Sequence, residues 1–280
     1  MSASKLSVSN IGWNLATDSE AAHFLNREGI RFVDIAPSKY FDDYANVSTR
    51  DASNLEKWWR NRGISIVGFQ SLLFKQNHLN LFGTSEIQES LLSHLEGVGR
   101  LAATLGVRSL VFGSPLNRRF KEEDRGQAQE IAIEFLSKLD ALAEKIGVVY
   151  CLEPNPAIYG GNFMLSSLDT SEIVKSVGGK NIQMQFDLGA CEVNLEDPEV
   201  IASKYASQIG HVHLSSTNLR PLYETSFTAN KIKATLLALR GKEYFTIEQL
   251  PFGADSNAEL NALRNSIHFV TGACDGGIIL

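Results

Sequence analysis

Glu153, Asp187, His213 and Glu248 close four short apolar runs in the second half of the chain, spaced 25 to 35 residues apart. Each lies in a polar signature: Cys151-Leu152-Glu153-Pro154-Asn155, Gln185-Phe186-Asp187, His211-Val212-His213 and Thr246-Ile247-Glu248. Three carboxylates and one imidazole make an oxygen-rich set that suits one divalent cation. Mn2+, Mg2+ and Co2+ suit it and Zn2+ is possible; ligand type does not decide among them, and Mn2+ or Mg2+ is the first expectation. Drawn together without a cation, the like charges would force one carboxyl to keep its proton. Taken singly, an acidic residue at a strand end is an ordinary cap or ion-pair partner. Three acidic residues and a histidine at successive strand ends point to a metal site.

What must position them is a set of strands. Runs rich in Val, Ile, Phe and Tyr recur over residues 5–12, 31–37, 65–74, 109–115, 148–155, 182–188, 210–215 and 244–250, and they read as strands by composition and period. Helical patterns occupy 18–28, 53–62, 84–105, 125–146, 169–177, 198–208, 228–239 and 258–269. Gly29, Gly63, Gly106 and Gly147 follow four of these patterns, where a left-handed residue ends a helix. Pro198 suits a first helical turn, which has no use for its N–H. Regular alternation of strand and helix predicts a parallel sheet with helical crossovers. In 280 residues this favours an α/β fold of one domain, 1–280, closed as a single (β/α)8 TIM barrel. An open dinucleotide-binding sheet is disfavoured, because Gly12 is followed by Trp13 and Asn14 rather than by a GxGxxG turn.

Alternate side chains of a strand share a face. Glu153 then lies with Cys151 and Val149, Asp187 with Gln185 and Gln183, His213 with His211, and Glu248 with Thr246 and Tyr244. With these faces inward, the quartet forms the outermost layer of the barrel. Gln185, His211 and Thr246 form a deeper polar layer where Val, Ile and Leu usually sit. Buried polar groups need partners, which a metal and the groups around its ligands supply.

The composition, 44% hydrophobic and 21% charged, is that of a soluble globular protein. With a net charge of −6 and scattered Lys and Arg, the chain lacks the electrostatic footprint of a nucleic-acid binder. Cys151, Cys191 and Cys274 form no CxxC pair and fit reduced intracellular thiols. Residues 1–10 lack an apolar signal core and no run reaches the length of a membrane span, so the expected location is cytoplasmic, with no membrane partner.

At these residues the chain resembles the xylose isomerase-like TIM barrels, a superfamily of sugar isomerases, ketose 3-epimerases, inosose dehydratases and endonuclease IV. The resemblance spans nearly the whole chain and is strongest from residue 150 to 250. Leu152-Glu153-Pro154-Asn155-Pro156, Tyr159-Gly160-Gly161-Asn162-Phe163, and Phe112-Gly113-Ser114-Pro115 with Arg118 and Arg119 look like a sugar phosphate isomerase/epimerase subgroup. The resemblance implies that Glu153, Asp187, His213 and Glu248 hold one divalent metal, while Glu153 and Glu248 also move protons. It implies an isomerase or epimerase of a small sugar, polyol or derivative, working through an ene-diolate. One glutamate would take the α-proton and the other return it from the opposite face. Homo-oligomers are common in the family. The chain departs from the epimerase pattern at Ala190, where a substrate-binding His is usual, and at Ser216, where an acidic residue is often found.

Candidate contacts to the carbohydrate substrate are Gln70, Ser114, Asn155, Tyr159, Arg118, His211 and Arg220. Arg118 suits an anionic group, although a solvated loop arginine is the more ordinary reading. Arg220 roughly matches a family arginine, offset by one position. Trp13 and Phe82 are further candidates to line the pocket, and Asp34 carries no assigned role. The same quartet could serve dehydration of a cyclic keto-polyol. A barrel that binds a ligand without turning it over is the reading that Ala190 and Ser216 favour. The endonuclease branch would need a histidine-rich metal cluster and a basic groove, and this acidic chain has only 6 His.

Overall fold

The eight apolar runs form strands, most of them shorter at the C-terminal end than sequence alone predicts. The computed structural model describes residues 5–124 and 126–273. Its strands are β1 (Lys5–Ser9), β2 (Phe32–Ile35), β3 (Ser65–Phe69), β4 (Ser109–Phe112), β5 (Val149–Leu152), β6 (Ile182–Asp187), β7 (Ile209–Leu214) and β8 (Tyr244–Ile247). They pair in parallel in sequence order and β8 closes on β1, giving a (β/α)8 TIM barrel. The predicted runs 5–12 and 109–115 are too long because their ends wind into 3-10 turns, Asn10–Gly12 and Pro115–Arg118. Runs 65–74 and 244–250 likewise leave the sheet early, after Phe69 and Ile247.

The helices among the described residues are α1 (Asp18–Arg27), α2 (Thr49–Arg60), α3 (Ser85–Thr104), α4 (Ala128–Ile146), α5 (Ser167–Val177), α6 (Leu188–Asn194), α7 (Pro198–Tyr205), α8 (Ala229–Ala238) and α9 (Ser256–Ala273). α2 begins earlier than the predicted 53–62 because Ser48 caps it, accepting a hydrogen bond from Asp51 N. α4 ends at Gly147, whose φ of +87° fits the predicted left-handed stop. Its predicted start at residue 125 lies outside the described residues. α6 escapes the sequence reading because no loop precedes it: Asp187 ends β6 and at once caps the helix, its carboxylate 2.6 Å from Ala190 N.

Between sheet and helices, Leu25, Trp59, Leu95, Leu136 and Leu263 are fully buried in one apolar cluster. Two irregularities matter for the site. The β2–β3 register shifts between Val33 and Asp34, and the β6–β7 register shifts between Met184 and Gln185. Such bulges re-aim the side chains that follow them. Cys151 and Cys191 are buried free thiols, and Cys274 lies outside the described residues. Among the described residues no helix is long and apolar enough to cross a membrane.

Candidate metal and active site

The sheet aims the quartet. Asp187 pairs in register with His213, and the ladder continues one residue past β5 and β8, through Glu153 N to Phe112 O (3.2 Å) and Glu248 N to Leu214 O (3.0 Å). Strand alternation therefore still governs Glu153 and Glu248, and both point inward with Asp187 and His213. One ligand atom from each of the four lies within 4.8 Å of all the others. His213 Nδ1 is 3.1 Å from Glu248 Oε2 and 3.9 Å from Glu153 Oε1. Three carboxylate oxygens and one imidazole nitrogen gathered this closely could hold one divalent cation.

The charges fit a cation as well. Burial, with repulsion from Asp187 and Glu248, pushes the Glu153 carboxyl up to about 8. Burial and the Glu248 charge push Asp187 up to about 6. Burial works against protonation of His213, but Glu248 and Asp34 outweigh it and hold the imidazole well above its ordinary value. Three acidic groups share one site, and a divalent ion could neutralise what they cannot neutralise for one another.

Each carboxylate of the quartet is held from behind. Gln70 Nε2, from the end of β3, donates to Glu248 Oε1 at 2.5 Å. Ser215 Oγ lies 2.8 Å from Asp187 Oδ2 and accepts from Gly189 N. Asn155 Nδ2 donates to Glu153 Oε2 at 2.9 Å, and Arg118 donates to Asn155 Oδ1 and to the Glu153 carbonyl at 2.9 Å. Gly113 makes room for this carboxylate, since a Cβ there would come within 2.3 Å of Glu153 Oε2.

Above the quartet opens a cavity of about 570 Å3. Of the predicted substrate contacts, Gln70, Ser114, Asn155 and Tyr159 line it, together with Ala190 and Ser216. Arg118, His211 and Arg220 do not. Arg118 is neither solvated nor in the cavity: it is fully buried behind Asn155, and burial lowers it to about 10. Arg220 turns outward to Glu224 and stacks over Phe252, 5.3 Å from the ring centre. His211 lies two residues deeper in the barrel, its Nε2 2.6 Å from Asp34 Oδ2. Trp13 and Phe82 are also absent from the lining. Trp13 is buried and donates its indole N–H to Asp18, while Phe82 packs edge-on against Phe120 and Phe163. Asp34 is the polar residue that the sequence reading passed over. Its signal was an acidic side chain inside an apolar strand, the same signal that marked Asp187.

The family model for xylose isomerase-like TIM barrels matches residues 22–228. No curated protein sequence matches the chain. Among solved structures, D-psicose 3-epimerase from Clostridium cellulolyticum H10, with D-tagatose, superimposes with a TM-score of 0.80 at 15% identity, covering 96% of this chain and 99% of that one. L-ribulose 3-epimerase gives 0.76 at 13% identity, covering 98% and 96%. The 3-keto-D-glucoside 4-epimerase of E. coli gives 0.75 at 13%, covering 94% and 98%. At these identities the likeness is one of fold.

Proposed function

The chain belongs to the xylose isomerase-like TIM barrel family, and from that premise we propose that it is a divalent-metal-dependent epimerase or isomerase of a small ketose or keto-sugar derivative. The observation that carries this reading is the pair Glu153 and Glu248. Both reach one site from the outermost of four adjacent strands, and each is oriented by a buried amide, Asn155 and Gln70 respectively. A site for binding alone would not need two positioned carboxylates. The sugar epimerases that share the fold support the substrate class.

When bound, the metal would act as a Lewis acid toward a substrate carbonyl and make the adjacent carbon's proton acidic. Asp187 and His213 would hold it, the first fixed by Ser215 and the N-terminus of α6. Glu153 and Glu248 would carry the protons, one removing it from the α-carbon and the other returning one. Close positioning must compensate for the basicity that ligation takes from a carboxylate. Asn155 and Arg118 keep Glu153 from swinging out of the site, and Gln70 does the same for Glu248. Gln70, Ser114 and Tyr159 line the cavity where hydroxyls would be read.

The test is NMR in D2O with Mg2+-loaded protein and a panel of ketoses and keto-glycosides. Deuterium should enter at the carbon next to the carbonyl as the epimer or isomer appears. Glu153→Gln and Glu248→Gln should each lower turnover by about 10^2–10^4-fold. Metal-loaded wild type that exchanges no proton on any substrate it binds would refute the proposal. An unsaturated dione as product would redirect it to dehydration.

A further inference from the structure

Deeper in the barrel than the quartet lies a polar group for which the chemistry above has no use. Asp34 of β2 and His211 of β7 are both buried, and Asp34 Oδ2 stands 2.6 Å from His211 Nε2 and 3.5 Å from His213 Nε2. The surroundings are shaped to this carboxylate. The register shift between Val33 and Asp34 sets its direction. Gly68 on β3 leaves it space, since a Cβ there would lie 2.5 Å from Asp34 Oδ1. The Ser7 hydroxyl of β1 approaches the same oxygen at 3.5 Å.

A neutral imidazole carries one proton on two nitrogens. His213 turns Nδ1 toward Glu248 and Glu153, so a lone pair given to a cation in the quartet must come from Nδ1. The ring's proton then has to sit on Nε2. That nitrogen is buried and makes no hydrogen bond, and Asp34 Oδ2 is the carboxylate oxygen facing it, just outside hydrogen-bonding range. An unsatisfied buried N–H is unfavourable, and a small approach of the ring would satisfy it. We infer that Asp34 is a positioning residue. It accepts the Nε2 proton of His213, fixes Nδ1 as the metal-facing nitrogen, and is itself clamped by His211 from the far side. This rests on reading the quartet as a metal centre.

The test uses full-length wild type and Asp34→Asn, which keeps the shape and removes the charge. Mn2+ binding is measured by calorimetry, and the His213 ring protons by NMR of 15N-histidine-labelled, Zn2+-loaded protein. Wild type should bind one Mn2+, and D34N should bind it about 10- to 100-fold more weakly. The His213 Nε2 proton should be slow to exchange and far downfield in wild type, and move upfield in D34N. A folded D34N with wild-type affinity and an unmoved ring proton overturns the inference. Should D34N fail to fold, the wild-type spectrum decides alone: a rapidly exchanging Nε2 proton at an ordinary shift overturns it. Two Mn2+ per chain would also overturn it, because Asp34, His211 and His213 would then be a ligand set. Wild type that binds no metal removes the quartet reading itself, a separate and distinguishable failure.

Discussion

Replacing Glu153 with Gln removes one of the acidic groups that the barrel crowds together, and should stabilise the protein whenever no cation is present. In the metal-free chain, burial and the charges of Asp187 and Glu248 push this carboxyl from 4.5 up to about 8. Because the folded value lies above the unfolded one, folding takes up a proton. The contribution of Glu153 is therefore most favourable below about pH 4.5 and declines as pH rises toward about 8. At 1.36 kcal/mol for each pH unit, the cost reaches about 3 kcal/mol at pH 7. This is an upper value, because Asp187 and Glu248 share the same repulsion. For a chain of 280 residues it corresponds to roughly 5 °C in melting temperature. Thermal unfolding in EDTA between pH 4.5 and 8.5 should show E153Q melting above wild type, with the gap widening as pH rises. Mn2+ at 1,000 times Kd should reverse the order at pH 7, since a ligand at that excess adds about 4.1 kcal/mol to the protein that binds it. If E153Q in EDTA melts at or below wild type by an offset independent of pH, the acidic groups are not crowded as described.

Arg118→Met strands the Glu153 carbonyl and the Asn155 side-chain oxygen, so stability in urea should fall by about 2–4 kcal/mol, and Lys should rescue it poorly. Gly68→Ala drives a methyl group into the Asp34 carboxylate, and chemical unfolding should register a loss of about 1–3 kcal/mol. Glu192 on α6 is opposed by burial but receives hydrogen bonds from Ser226 and Thr217, which bring its carboxyl down to about 2. Its contribution is complete above about pH 4.5 and disappears as pH falls toward 2. After solvent screening it is worth about 2 kcal/mol. Acid unfolding of Glu192→Gln should lack that share of the pH dependence.

The strands and the quartet were legible in the chain for one reason: a parallel barrel repeats a local pattern, and each repeat carries its own polar end. Period-two alternation put Glu153, Asp187, His213 and Glu248 on inward faces without any knowledge of the partner strands. The same rule marked His211 as inward and one layer deeper than the quartet, which is where it lies, against Asp34 and outside the cavity where a substrate contact was expected. Helix α6 was hidden because Asp187 serves as strand end and helix cap at once, leaving no loop to announce a new element.

Residue types and their period along the chain determined the closed alternating fold and the oxygen-rich quartet. Which groups stand behind those four side chains was decided only when the barrel closed. Gln70 meets Glu248 across 178 positions and Asp34 meets His211 across 177, between strands that are not neighbours in the sheet. Arg118 became a buried brace because a 3-10 turn after β4 carries it behind Asn155. Local periodicity specifies which way a side chain points. What it meets there depends on strand register, bulges and the volume left by Gly68 and Gly113, and these are properties of the assembled barrel.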